Sequence, residues 1–173
     1  MGSEMCIRDR FDGIGISLTY ENGKLSKAVT RGDGETGEVV TDNIKTIVKV
    51  PHVIKHSSPK TIEIRGEVFF RLDDFSNINS KLEADNLKTF VSPRNAAAGT
   101  LRNLDIKIVK QRPLDIFFYG IGGHSDDAIY KSYEEFVNFL KKNNFPVCNL
   151  ISFGNAEHVL SLIHISEPTR PLY

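Results

Sequence analysis

The chain has few cysteines, no excess of charge of either sign and no long apolar run. Its two cysteines, Cys6 and Cys148, show no spacing typical of a metal site. The 22 basic and 22 acidic residues cancel, so any contact with nucleic acid has to come from local patches. No stretch could cross a membrane, and the N-terminus lacks the apolar centre of a signal peptide. We therefore expect reduced thiols, a cytoplasmic location and no membrane partner.

The length of 173 residues suits one domain, and the hydrophobic content of 40% and charged content of 25% are ordinary for a globular protein. Residues 14–20 alternate between apolar and small or polar side chains, which predicts a half-buried strand. Asn22 and Gly23 both tolerate positive φ and predict a hairpin turn into a return strand over 24–30.

The glycine-rich stretch Gly32–Gly37 follows this hairpin. Its glycines permit close approach of the backbone to a ligand, although a plain loop would have a similar composition. Helical spacing of apolar residues from Val39 to Val48 then predicts a helix that ends before Pro51.

The clearest strand prediction covers residues 61–70. Its charged residues Glu63, Arg65 and Glu67 share one face. The opposite face is apolar and carries Ile62, Ile64, Val68 and Phe70. Three charges on one strand face indicate either a solvated surface or a polar pocket.

Further elements are predicted in the second half of the chain. Asp73 or Asp74 is expected to cap an amphipathic helix. Residues 114–121 are apolar on both faces and predict a central strand. Residues 132–135 match a capping box at the start of another helix, and residues 147–153 suit a last strand.

The stretch from residue 92 to residue 102 has two arginines on either side of small residues. Ser92 and Pro93 suit the cap and the first turn of a helix. Arg94 and Arg102 are eight residues apart, so on a helix they would lie near one face. The pattern fits a clamp for phosphate, but it fits a buried alanine-rich helix with two solvated arginines equally well.

Four stretches, in this order, resemble motifs of one family: residues 30–38, 63–69, 92–102 and 112–120. The family is the adenylation domain of bacterial NAD-dependent DNA ligases. The resemblance implies an α+β fold of antiparallel sheets with flanking helices, the nucleotidyltransferase core of that domain. It also implies an enzyme of DNA replication and of the repair of DNA damage, which seals nicks in duplex DNA through enzyme–AMP and DNA–adenylate intermediates.

The resemblance assigns roles to individual residues. Arg31 resembles the arginine that contacts the bound nucleotide, and Glu67 resembles the carboxylate that binds the ribose of the adenosine. Tyr119 resembles an aromatic residue near the adenine ring, although its pattern alone favours a core tyrosine. Arg94 and Arg102 resemble arginines needed in nick sealing, at the phosphate or DNA side of the reaction.

The nucleophile of the family is a lysine that is followed by Phe11-Asp12-Gly13 in this numbering, but Arg10 stands at the lysine position. A guanidinium stays protonated and has no free lone pair with which to attack phosphorus. No intact catalytic residue is therefore expected, although Asp12 matches the residue that would orient the lysine or the metal-bound phosphate.

The resemblance further implies NAD as the adenylate donor, nicked duplex DNA as the partner and magnesium as the metal. No metal ligands are expected in this chain, because the zinc of the family belongs to a domain absent here. We expect a monomer. The alternative is a non-catalytic nucleotide- or DNA-binding module; an RNA ligase or capping-type enzyme is not expected to carry the stretch from Arg94 to Gly99.

The resemblance runs from about Phe11 to about Phe153. Residues 1–10 and 158–173 are predicted to be foreign tails similar to translated sequencing-adapter DNA, which makes residues 11–157 a partial adenylation domain truncated at both ends. Two later lysine motifs of the family are then missing. We expect no turnover from this chain, and little more from an Arg10→Lys form.

Overall fold

The computed structural model of the protein describes residues 5–7, 12–32, 36–56, 59–125, 130, 132–147 and 152–154. The described strands are β1 (Met5–Ile7), β2 (Ile14–Glu21), β3 (Lys24–Thr30), β4 (Thr61–Phe69), β5 (Asp115–His124) and β6 (Ser152–Gly154). The described helices are α1 (Thr41–Ile44), α2 (Leu72–Ala84), α3 (Pro93–Leu101), α4 (Ile106–Gln111) and α5 (Tyr133–Lys142). The longest of these helices has 13 residues, which is too short for a membrane span of about 20 residues.

The chain divides into two compact units. The smaller unit combines Met1–Arg10 with Cys148–Tyr173, and in it β1 pairs antiparallel with β6. The larger unit, Phe11–Val147, contains all the other elements. Its sheet has the order β3-β2-β4-β5 with every neighbouring pair antiparallel. This sheet and its flanking helices confirm the α+β prediction for the larger unit.

The hairpin between β2 and β3 forms where the sequence predicts it. Asn22 and Gly23 have φ values of 49° and 75°, the left-handed region that a tight hairpin turn requires. The predicted alternation of β4 is also present. Ile62, Ile64 and Val68 are fully buried, whereas the charged residues between them are partly or largely exposed.

The apolar face of the sheet forms the core together with helix α3. Side chains that are almost completely buried on the strands are Ile16, Leu18, Tyr20, Ile62, Ile64, Val68, Ile116 and Phe118. Helix α3 contacts both β2 and β4. Ala96 and Ala97 are fully buried, because their small side chains let the helix backbone approach the sheet closely. Most of the core therefore lies on one side of the sheet, and the other side carries the charged residues of β4 together with the stacked rings of Phe69 and Phe117.

The helix predicted from Val39 to Val48 is much shorter than the pattern indicated. Only Thr41–Ile44 is α-helical, and Val39 and Val48 are 63% and 98% exposed. Val39 instead pairs with Val29 as an isolated β-bridge. The apolar spacing was therefore misleading at both ends, where strand pairing and tight turns replace the helix.

Two predictions for the second half of the chain were wrong. Helix α2 begins at Leu72 with Arg71 as its cap residue and no side-chain cap, so Asp73 and Asp74 lie in the first turn instead. There the carboxylates still favour the positive end of the helix dipole. Strand β5 is the last strand of the described sheet and not a central one.

The edge of β5 is nevertheless covered. Phe118 forms a parallel bridge with Val147, and the Phe118 amide donates to the Pro146 carbonyl at 2.8 Å. Helix α5 also packs against β5. The edge of β5 is therefore paired with a later segment, although β5 is the last strand of the described sheet. Of the last strand predicted over 147–153, Val147 makes this bridge, Ser152 and Phe153 belong to β6, and residues 148–151 lie outside the described residues.

The predicted helix caps at two other places are confirmed. The Ser92 hydroxyl accepts from the Asn95 amide at 3.2 Å, with Pro93 in the first turn of α3. The Ser132 hydroxyl accepts from the Glu135 amide at 3.2 Å at the start of α5. Each bond satisfies a backbone donor that the helix itself leaves unpaired.

Gly66 provides a test of the packing on the apolar side of β4. A Cβ atom at this position would lie 2.6 Å from the Phe117 carbonyl oxygen and 3.0 Å from Phe118 Cδ1, and backbone cannot move aside cheaply. We predict that Gly66→Ala lowers the free energy of unfolding by about 1–3 kcal/mol. Gly123→Ala is the matched control, since a Cβ there meets nothing within 4 Å. Urea unfolding of both variants measures the difference; equal losses would show that the β4–β5 packing is described wrongly.

Candidate functional site

The polar face of the sheet holds the charged residues of β4. Glu63, Arg65 and Glu67 lie on it, opposite Thr19, Ser17 and Gly15 of β2 in the strand register. Small residues occupy several neighbouring positions, which are Gly15 and Ser17 on β2 and Gly120 and Gly122 on β5, whereas Phe117 lies opposite Glu67 and stacks on Phe69. Because the small residues have short side chains or none, they leave the charged side chains of β4 uncovered on this face.

Arg31 and Glu67 converge at one end of this face, above Gly15. The Arg31 amide donates to the Gly15 carbonyl at 2.9 Å, which continues the pairing of β3 with β2 by one residue. A Cβ atom built on Gly15 would lie 3.6 Å from Arg31 Cδ and 3.6 Å from Glu67 Oε2. The absence of a side chain at residue 15 therefore leaves room between a guanidinium-bearing chain and a carboxylate.

The backbone of Asp12 and Gly13 passes beside the same carboxylate. Gly13 is buried, and a Cβ atom there would collide with the Val68 carbonyl and lie 3.0 Å from Glu67 Cγ. Only glycine allows this close approach. Asp12 is exposed next to it, so the structure brings the Asp-Gly step to Glu67. Arg10, at the lysine position, lies outside the described residues.

Glu63, Ser17 and Arg65 form a network at the middle of the polar face. The Ser17 hydroxyl and Arg65 Nε both donate to Glu63 Oε1, the latter at 3.0 Å. A Cβ atom on Gly122 would lie too close to Glu63 Oε1, so a side chain at residue 122 would displace the Glu63 carboxylate from this network. Burial raises the pKa of Glu63, but bonds from Ser17 and Arg65 outweigh it and leave the pKa below its usual value. Glu63 is therefore an ionised anchor that orients Arg65.

Tyr119 lies at an irregularity of β5, where the pairing shifts between Arg65 opposite Gly120 and Gly66 opposite Phe118. It is half-buried, so the core tyrosine that its pattern alone favours is not what the structure shows. Its carbonyl accepts from the Tyr133 hydroxyl at 2.6 Å, which fixes the backbone at the bulge. Its assignment to the adenine ring stays a prediction.

Arg94 and Arg102 lie about two turns apart at the two ends of α3, since the Arg102 amide still donates to the Ala98 carbonyl at 3.1 Å although the helix ends at Leu101. Arg94 is exposed in the first turn, and Arg102 follows the helix and pairs through Nε with Glu38 Oε2 at 2.9 Å. Glu38 is in turn bonded to Thr30, one residue before Arg31, by two 3.0 Å hydrogen bonds. The end of α3 is thus tied to the end of β3; the exposed ion pair itself contributes about 0–1 kcal/mol.

Asp115 is an ionic centre that sequence reasoning missed. It is 5% exposed, and its Oδ2 accepts from Lys49 Nζ at 2.7 Å and from Arg71 Nε at 3.0 Å. Burial raises the pKa of Asp115, but the bonds from Lys49, from the Ile116 amide and from Arg71 hold it below its usual value. An aspartate at the start of an apolar strand could have indicated a buried carboxylate. Nothing in the sequence, however, indicated the two distant cations with which it pairs.

A comparison with protein-family models bears on this site. The model described as NAD-dependent DNA ligase adenylation domain matches residues 2–173 of the chain. The match includes the segments that carry Asp12, Arg31, Glu67, Arg94, Arg102 and Tyr119. It agrees with the family that the four sequence motifs resemble.

The network around Glu63 gives a testable pH dependence. We predict that NMR titration of the Glu63 side chain shows a midpoint below that of an ordinary glutamate, and that Ser17→Ala moves the midpoint upwards. The pKa of Glu63 is lower in the folded state than in the unfolded state. Ionised Glu63 therefore stabilises the fold above the unfolded pKa of about 4.3, and this contribution is lost as the pH falls through the folded pKa. Ser26→Ala, which removes only an exposed bond to the Thr19 carbonyl, is the control. An unchanged midpoint in Ser17→Ala would contradict the assigned network.

Proposed function

Because the chain belongs to the family of NAD-dependent DNA ligase adenylation domains, we propose that it contributes the nucleotidyltransferase core of a DNA ligase. The family implies NAD as the adenylate donor and DNA as the partner. In the proposed reaction the domain accepts AMP from NAD, releases nicotinamide mononucleotide and passes AMP to the 5′-phosphate of a nick. The proposed setting is replication and repair in the cytoplasm, with the protein acting as a monomer.

The observation that carries this proposal is the convergence of Arg31 and Glu67 over Gly15. An ionised carboxylate accepts hydrogen bonds from the two hydroxyls of a ribose. A guanidinium beside it donates to nucleotide oxygens and offsets negative charge. We propose that Glu67 holds the ribose, that Arg31 contacts the nucleotide next to it and that Tyr119 lies against the adenine.

The magnesium that the family implies has no protein-made cage in the described part of the chain. No group of three or more His, Cys, Asp or Glu residues there could hold a metal ion. Magnesium in nucleotide sites often uses only one or two carboxylates and otherwise binds substrate phosphates. Asp12 is exposed next to the Glu67 site and is the carboxylate we would assign to that role.

Arg94 and Arg102 are proposed to contact phosphates of the nicked DNA. Both guanidinium groups are exposed, and the net charge of zero leaves such contacts to local residues. The ion pair of Arg102 with Glu38, which is bonded to Thr30, connects the end of α3 to the strand end that carries Arg31.

Arg10 favours a second candidate function, a module that binds the nucleotide without forming the lysine–AMP bond. The proposed extent of the partial domain remains residues 11–157. The compact unit Phe11–Val147 supports its start, whereas the family match runs through both predicted tails. The foreign origin of residues 1–10 and 158–173 therefore stays a prediction.

Nucleotide binding tests the proposed site. We predict that Glu67→Gln weakens AMP binding by about 10–100-fold, since hydrogen bonds to a charged group are worth about 1.5–3 kcal/mol. Glu21→Gln, an exposed carboxylate at the end of β2, should leave the affinity unchanged. Calorimetric titration of AMP into the three proteins measures this. Equal affinities for the unaltered chain and Glu67→Gln would remove Glu67 from the site.

A separate test concerns the nucleophile. We predict that the unaltered chain acquires no covalent AMP when it is incubated with NAD and magnesium, because the Arg10 guanidinium cannot form the phosphoramidate. Intact-mass spectrometry measures the result, with a family member that carries the lysine as positive control. A mass gain of one adenylyl group would show that another residue is the nucleophile.

A further inference from the structure

A second ionic site lies in a cleft of about 320 Å³, away from the residues proposed to hold the nucleotide. Its walls come from the segment after α1, the start of α2, the end of α4 and the start of β5. The charged lining residues are Lys49, Arg71, Lys110 and Arg112 against Asp74 and Asp115. Four cationic and two anionic side chains leave a charge of +2. The volume is at the low end of the roughly 300–1,000 Å³ of ligand pockets.

Asp115 holds two of these cations in place without neutralising both. Its single carboxylate accepts from Lys49 and Arg71 through the same oxygen, and its other oxygen accepts from the Ile116 amide at 2.9 Å. The side chains of Lys49 and Arg71 remain 49% and 63% exposed, so a ligand from solvent can reach them. Arg71 uses Nε for Asp115, and this anchor orients its two terminal nitrogens.

Arg112 is held in a different way. Its Nη1 donates to the Thr100 hydroxyl at 2.8 Å, and its guanidinium carbon lies 5.3 Å from the centre of the Phe90 ring. Within the described residues it has no carboxylate partner. Partial burial of this charge lowers the pKa of Arg112. Arg112 therefore lies in the wall of the cleft as a charged group that is held by neutral partners, with no counter-ion in the described part of the chain.

We propose that this cleft binds a phosphate group through Arg71 and Arg112, with Lys49 and Lys110 adding charge. Two guanidinium groups that the protein anchors by one nitrogen each lose little freedom on binding, and their planar forks match phosphate oxygens. An anion of higher charge than a carboxylate is favoured by the surplus of cations. The site depends neither on Glu67 nor on the proposed ligase function. The phosphate can come from a small molecule or from a nucleic-acid backbone.

Titration of the full chain with inorganic phosphate at constant ionic strength tests the proposal. NMR of the arginine side chains should show saturable shifts of the Arg71 and Arg112 Nε–H signals. Arg112→Lys keeps the charge but loses the fork, and we expect it to weaken binding about tenfold. Lys110→Ala should weaken binding by up to about fivefold. Lys107→Ala is the matched control, because Lys107 is exposed on the same helix but does not line the cleft.

A hydroxyl-ended DNA duplex, which carries no terminal phosphate, distinguishes the two sources. A backbone source is indicated if the duplex displaces inorganic phosphate and if Lys110→Ala, unlike Lys107→Ala, lowers the salt slope of DNA binding by about one. A small-molecule source is indicated if only inorganic phosphate shifts the two arginines. The proposal is overturned if neither arginine shows a saturable shift, or if Lys107→Ala and Lys110→Ala weaken binding equally. Urea unfolding of each variant verifies that the fold persists.

Discussion

The strict division of β4 into an apolar and a charged face is the constraint on which the rest of the larger unit depends. Successive side chains of a strand point to opposite faces, so a slip of one residue would place Glu63, Arg65 and Glu67 in the core. Buried, unpaired charges cost several kcal/mol each. The same alternation that builds the core therefore fixes which residues reach the polar face and in which order.

Missing side chains, as much as present ones, shape that polar face. Gly15 leaves a space that Arg31 and Glu67 flank, and Gly13 lets the backbone pass beside Glu67. Gly122 leaves space for the carboxylate of Glu63. A Cβ atom at residue 13 would collide with the Val68 carbonyl, and one at residue 122 would displace the Glu63 carboxylate, so these glycines act through close approach.

Local patterns predicted local structure well. The alternation in β2 and β4, the turn at Asn22 and the caps at Ser92 and Ser132 each depend on residues within a few positions, and the structure confirms them. Two of the predictions that failed depended on distant contacts, whereas the cap assigned to Asp73 or Asp74 failed locally, because α2 begins before both residues. Val39 pairs with a strand instead of joining a helix, and β5 lies at a sheet edge that a later segment covers.

In the candidate site, too, local patterns predicted local features but not the contacts between distant residues. The shared face of Glu63, Arg65 and Glu67 follows from period two, and the convergence of Glu67 with Arg31 agrees with the interpretation of the motifs. The ion pair of Arg102 with Glu38 joins residues 64 positions apart, and no local pattern indicates it. Asp115 likewise pairs with cations 66 and 44 positions away. Which distant residues pair depends on the fold, and a local sequence pattern does not contain that information.

The central claim is that Arg31 and Glu67 form one nucleotide site on the polar face. The most direct measurement follows the Arg31 Nε–H and Glu67 carboxyl signals by NMR in a single titration with AMP. We expect both signals to shift and to saturate with the same dissociation constant. AMP that binds while the Glu67 signal stays fixed, or two signals with different constants, would contradict it.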